Sequence, residues 1–225
     1  MKRFFHNTLA IIVTFVSGVF IFSSTLMADN LKVALAAEPT SMDPHYQNLT
    51  INNSFATQVF NALVLQDVNQ NLIPGLAISW NPVDENTWEF KLRPGVKFHN
   101  GSSFSAEDVI ASMNRAANVP NSPSSFGTFT KGKTFEVIDD LTLRVSTEKP
   151  YPFTPNDMSR VAIIDSAFEN ATTEDFNTGK ATFGTGPFTF SKWLPGDLIE
   201  IERNDNYWGN AVEWDSITIR PIKDG

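Results

Sequence analysis

Five segments of the chain alternate apolar and polar residues with a period of two: Trp88-Glu89-Phe90-Lys91-Leu92, Leu141-Thr142-Leu143-Arg144-Val145, Phe188-Thr189-Phe190, Ile199-Glu200-Ile201-Glu202 and Ile217-Thr218-Ile219-Arg220. Successive side chains of a strand point to opposite faces, so each segment reads as a half-buried strand with one face on a core. Asp139-Asp140 and Pro195-Gly196-Asp197 lie between such runs. Pro presets φ, Gly allows positive φ and Asp bonds its own backbone, so both are expected to close hairpins. Two stretches switch to helical spacing. Asn52 to Leu63 places Phe55, Val59, Phe60 and Leu63 on one face, and Ser105-Ala106-Glu107-Asp108 resembles a capping box opening a helix over Ala106 to Ala117. Asn118 to Ser125, rich in Pro, Ser and Asn, reads as a loop. The architecture expected is mixed α/β.

The chain has 225 residues, 41% of them apolar and 12% aromatic, which is enough buriable surface for a folded core. Its net charge of −8 offers no sequence-independent attraction to phosphate backbones, so nucleic acid is not an expected partner. With no cysteine, disulfides, thiolate metal sites and Cys nucleophiles are excluded. Lys2, Arg3 and His6 precede an uncharged apolar stretch from Thr8 to Ser24 and a small residue, Ala28, before Asp29. Residues 1–28 therefore read as a secretory signal peptide cut after Ala28, the competing reading being an uncleaved membrane anchor. Removing them also removes Lys2 and Arg3 and takes the charge from −8 to −10. The address this implies is the bacterial periplasm.

Chemistry-bearing patterns are sparse. His45 and His99 show no ligand spacing with carboxylates, so no metal and no other cofactor is expected. No Gly-x-Ser-x-Gly context selects a nucleophile, which argues against a secreted hydrolase and for a protein that is not an enzyme. Gly184-Thr185-Gly186-Pro187 lacks the Gly-Lys-Ser/Thr of a phosphate loop, and Pro187 has no amide to donate. It reads as a tight turn into a strand over Phe188 to Trp193.

Several ordered blocks carry a family resemblance: Glu38-Pro39-Thr40-Ser41-Met42-Asp43-Pro44, Pro74 to Trp80, Thr87 to Gly101, Phe104-Ser105-Ala106-Glu107-Asp108-Val109, Gly184-Thr185-Gly186-Pro187-Phe188, and Asn204 to Gly209. In this order they resemble the family 5 extracellular solute-binding proteins, periplasmic receptors of peptide, nickel and related ABC importers. The resemblance implies a periplasmic binding protein-like (type II) lobe with a mixed sheet and an inserted small α/β domain. By it, residues 29–72 plus 180–225 form a discontinuous first lobe and 73–179 the inserted domain. Intact members are more than twice as long, so the resemblance also implies an N-terminal fragment without the second lobe. Trp80, Trp88, Phe90 and Phe98 are expected in a core or lobe interface, and His99 at a turn.

The function implied is a receptor binding peptides or peptide-like solutes and delivering them to an inner-membrane permease, monomeric when intact. Nickel complexes, haem, glutathione and oligosaccharides are the alternative cargoes; an envelope chaperone-like or structural protein is the rival class. The resemblance places the loop after Asp43-Pro44 at the cleft mouth and so nominates His45, Tyr46 and Gln47 as ligand contacts. It also nominates Phe126, at the end of the Pro/Ser-rich loop. Arg160, at the start of a strand expected over Val161 to Ile164, is nominated for a ligand carboxylate.

Overall fold

The computed structural model describes residues 29–222. The expected signal peptide and its cleavage site lie outside the described residues. In chain order the elements are β1 (Asn30–Leu35), α1 (Thr50–Val59), β2 (Val64–Gln66), β3 (Leu72–Pro74), β4 (Ala77–Pro82), β5 (Thr87–Leu92), α2 (Ala106–Asn118), α3 (Gly127–Thr130), β6 (Lys133–Asp139), β7 (Thr142–Thr147) and α4 (Thr154–Asp157). A 3-10 turn at Ser166–Phe168 precedes α5 (Thr173–Asn177), β8 (Phe188–Leu194), β9 (Leu198–Arg203) and β10 (Ser216–Pro221).

The five alternating segments fall on β5, β7, β8, β9 and β10. They are shared between two four-stranded sheets, one ordered β1-β10-β9-β8 and the other β4-β5-β7-β6, with β2-β3 as a separate hairpin. The first sheet is mixed because β1 runs parallel to β10 while β9 and β8 are antiparallel. Its register sets Ile217 opposite Ile201 and Ile219 opposite Ile199, so the apolar positions of β9 and β10 share one face. The β8–β9 hairpin turns at Gly196, whose φ of +76° is open to glycine and strained for a residue with a Cβ.

Each sheet buries its apolar face in its own core. One core joins Met42, Phe55, Val59, Phe60, Ile164, Phe176, Phe188 and the isoleucines of β9 and β10. The other joins Leu63, Val64, Leu76, Phe90, Phe98, Val109, Met113, Phe126, Leu143, Val145, Val161 and Ile163. Burying a side chain such as Phe90 or Leu143 contributes about 1.5–3 kcal/mol. The seam crosses the chain between Phe60 and Leu63 and again between Ile163 and Ile164. Both crossings come earlier than the boundaries expected at residues 72–73 and 179–180.

Two local expectations are corrected. α1 ends at Val59 rather than Leu63, because the Val59 carbonyl accepts from the Gly186 amide (2.9 Å) instead of from the next helical turn. Gly184 packs on that same carbonyl so closely that a Cβ there would stand 1.9 Å from the oxygen. The strand expected over Val161 to Ile164 is an extended segment with a single bridge, Ala62 to Ala162. It alternates because it lies in the seam, with Val161 and Ile163 in one core and Ala162 and Ile164 against the other. Trp80 and Trp88 pack on the second core only partly buried, whereas Phe90 and Phe98 are inside it.

Candidate functional site

The chain leaves β1, crosses the end of α1 and turns at Asp43, where a buried ion pair fixes it. Arg115, on the apolar face of α2, meets Asp43 through both guanidinium nitrogens: Nη1 donates to Oδ1 and Nη2 to Oδ2, each at 2.7 Å. The paired side chains are 5% and 0% exposed, which places both charges out of reach of screening. The remaining lone pairs of Asp43 accept from the His45 amide (3.0 Å) and the Thr173 hydroxyl (2.8 Å). Arg115 further donates to the Ala171 carbonyl (3.2 Å) and stacks 4.4 Å over the Phe176 ring. Burial works to raise the Asp43 carboxyl, but the Arg115 hydrogen bonds and charge outweigh it and hold the group below its ordinary value.

His45 continues this network. Its Nε2 lies 2.7 Å from the Ala162 carbonyl, which can only accept, so Nε2 carries the proton and Nδ1 accepts from Arg115 Nη1 at 3.2 Å. Burial, followed by the Arg115 cation, pushes His45 down to about 4, so the ring is neutral near pH 7.

Beyond His45 the loop runs beside the Pro/Ser-rich segment that follows α2. Gln47 bridges Ser124, the Asn48 amide donates to the Ser124 carbonyl (3.0 Å), and Ser122 Oγ donates to the Tyr46 carbonyl (2.6 Å). His45 meets Phe126 edge-on at 6.3 Å, Phe126 packs on Phe129 at 6.2 Å, and the Arg160 guanidinium lies 5.7 Å over Phe129. All five nominated residues are thus brought into one cluster, with unequal access to solvent. His45 and Phe126 are 0% and 3% exposed and form its backing; Tyr46 and Gln47 are partly exposed and Arg160 is exposed. Gln47 already accepts from Thr40 Oγ1 (2.8 Å), and Arg160 has no carboxylate partner among the described residues.

Sequence reasoning missed Arg115, Thr173 and Glu38. The signal for Arg115 was a cation among the apolar positions of an amphipathic helix, since such a charge is buried only with a partner. Glu38 accepts from the Gly196 amide (2.9 Å) and Trp193 Nε1 (3.4 Å), tying the loop after β1 to the β8–β9 hairpin. A pocket of about 540 Å³ opens beside this tie, between Phe190, Trp193 and Glu174. A second, of about 590 Å³, lies over the Arg115 end of α2 and includes Asn118, Pro120 and Thr172. Among the described residues no three His, Asp or Glu side chains gather as a metal site, and no helix is long and apolar enough to cross a membrane. The arrangement can hold two loops rigidly together and present tyrosine, amide and guanidinium groups at their rim.

Comparison with known proteins matches residues 71–225 to the family described as bacterial extracellular solute-binding proteins, family 5 Middle. The glutathione-binding protein GsiB of Pectobacterium atrosepticum is 30% identical over 211 residues, covering 93% of this chain and 41% of that protein. Among solved structures, NikZ from Campylobacter jejuni in complex with Ni(L-His) superposes with a TM-score of 0.75 at 26% identity, over 88% of this chain and 40% of that one. The oligopeptide-binding protein AppA from Bacillus subtilis, in complex with a nonapeptide, gives 0.76 at 25% identity, over 86% and 40%. The chain spans about two-fifths of the length of these relatives.

Proposed function

The chain belongs to the bacterial extracellular solute-binding proteins of family 5, and from that premise we propose that the protein it represents is a periplasmic receptor for peptides or peptide-like solutes. It passes them to an inner-membrane ABC permease, after a signal peptide ending at Ala28 is removed, and it catalyses no reaction. We further propose a first lobe built from the β1-β10-β9-β8 sheet and a small inserted α/β domain built from the β4-β5-β7-β6 sheet.

The single observation that carries this reading is the convergence at the seam of one loop from each core, held by the Gln47–Ser124 bridge and backed by His45 and Phe126. Ligand sites form where such loops meet, with aromatic walls and a few polar groups that fix orientation. Tyr46 and Gln47 supply hydrogen bonds to a peptide main chain, and the exposed Arg160 supplies a fork for a carboxylate. Glutathione is a short peptide with two carboxylates, and the 30% identity to a glutathione-binding relative favours it as the first solute to try.

The experiment is calorimetric titration with glutathione, di- and tripeptides and Ni(L-His), on the protein and on Arg160→Ala. Binding of a peptide-type solute, weakened about tenfold or more in the variant as expected for a lost charge-assisted hydrogen bond, supports the reading. Heat only with Ni(L-His), or peptide affinity indifferent to Arg160 and to Tyr46→Ala, contradicts it.

A further inference from the structure

The seam between the two cores is closed by both histidines of the described chain, from opposite sides. His45 belongs to the loop after β1, and it donates from Nε2 to Ala162 while accepting at Nδ1 from Arg115 of α2. His99 follows β5 in the other core and reaches the turn before β8. Its Nε2 lies 3.1 Å from the Gly186 carbonyl and its Nδ1 accepts from the Gly184 amide at 3.2 Å. A carbonyl can only accept and an amide can only donate, so His99 is held in the same neutral tautomer as His45. The His99 amide also donates to the Gly184 carbonyl (2.8 Å), so this histidine alone makes three bonds across the seam.

We infer that the seam is an acid-sensitive latch: protonating His45 and His99 parts the two cores while each core stays folded. A second ring proton sits on Nδ1, where His45 would then present N–H to the N–H of Arg115, and His99 would present N–H to the amide of Gly184. In both places an acceptor becomes a donor facing a donor, and at His45 a cation is added beside a cation. The groups facing His45 are Asp43 from its own loop, Arg115 from α2, the Ala162 carbonyl from the seam segment and the neutral Phe126 ring. The Asp43 charge offsets part of the added cation, but both its oxygens are already bonded to Arg115, so the donor-against-donor contact at Nδ1 stays. Around His99 stand the backbone of Gly184 and Gly186 and the Asn204 amide, which shares the Gly186 carbonyl. The nearby Asp165 carboxylate is occupied by Asn100 and Ser102.

Burial lowers both rings below the ordinary histidine value, His45 to about 4. A parted seam returns them toward 6.5. Between about 4 and 6.5 each pH unit of acidification favours the parted form about tenfold through His45, and His99 adds to it in the same direction. Parting also separates Gln47 from Ser124, so the two loops at the candidate ligand site would be released together. The latch itself does not depend on the solute reading, because it concerns only the two rings and the groups they bond.

The test is nuclear magnetic resonance of the protein between pH 7.5 and 4, following the ring nitrogens of both histidines and the exchange of backbone amides. Both rings are expected as neutral Nε2–H tautomers near pH 7. On acidification, the His99 and Asn48 amides, bonded across the seam to the Gly184 and Ser124 carbonyls, should lose protection at least tenfold before those of β7 and β9 change. A ring that titrates near 6.5 with the seam amides still protected would overturn the inference, as would simultaneous loss of protection in seam and strands. The double variant His45→Gln, His99→Gln, where it folds, should show seam protection independent of pH over the same range, and a persisting pH dependence there would also overturn it.

Discussion

At the scale of single residues, the Asp43–Arg115 pair governs the site. Its members lie 72 positions apart, and neither can be left without the other, because a lone buried charge is far costlier than the pair. Arg115→Ala is therefore expected to lower stability by about 3–5 kcal/mol, measured as a shift of the urea midpoint at pH 7. Arg115→Met, similar in volume but without charge, leaves Asp43 equally stranded and should cost nearly as much. A shift within the error of wild type would place the pair at the surface. Asp43 stood out in the sequence as part of a family block, whereas the mark of Arg115 is weaker, a cation among the apolar positions of a helix that also carries Asn114 and Glu107, and it does not name the partner. The same limit applies to His45. It is nominated as a ligand contact, and the structure shows both nitrogens of its ring spent on internal bonds.

At the scale of elements, periodicity was a good guide wherever one face of an element meets water. α2 begins where the capping box put it, with the Ser105 amide donating to Asp108 Oδ2 at 2.8 Å. Asp108 also accepts from the Ser166 amide through Oδ1 (2.8 Å), fastening the 3-10 turn to the helix. Asp108→Ala strands two amides at once and is expected to cost about 1–3 kcal/mol, more than an exposed cap alone; thermal unfolding of the two proteins compared at pH 7 reads this directly, and an unchanged midpoint would show that water replaces both bonds. Periodicity misled where an element touches both cores. The wholly apolar run Val161 to Ile164 reads as a strand, yet it reports an apolar neighbour on each side rather than a ladder. α1 likewise reads on to Leu63 because Leu63 is buried, but its backbone has already left the helix to meet Gly186. Such endings depend on a loop more than a hundred residues downstream and leave no local mark.

At the scale of the whole molecule, two cores meet along a polar seam, and stability should carry the signature of its histidines. His45 is lowered in the folded protein, so its contribution is complete above about 6.5 and falls as the pH drops toward about 4. A gap of this size corresponds to about 3 kcal/mol lost across that window. Asp43 is lowered as well, so its contribution is lost only as the pH falls below the ordinary carboxylate value, beyond the window in which the contribution of His45 declines. Urea midpoints at successive pH values should thus decline between 6.5 and 4 in the protein and much less in His45→Gln; parallel curves would assign the decline to other groups. The two sheets and the loops that build the candidate site were legible because family blocks and alternation both mark scaffold. The seam was not, because its bonds join groups far apart in the chain, such as His99 to Gly184 and Gly186 or Arg115 to Asp43, with no local mark of the pairing.

The central claim, that this chain belongs to a receptor that carries a small peptide-type solute outside the cytoplasm, is tested most directly by native mass spectrometry of the protein taken from the periplasm of its host. The account predicts a mature N-terminus at Asp29 and an excess mass that leaves on denaturation and fragments as glutathione or a short peptide. Protein retained in the cytoplasm with residues 1–28 attached, or a bound species that is not peptide-like, would contradict it.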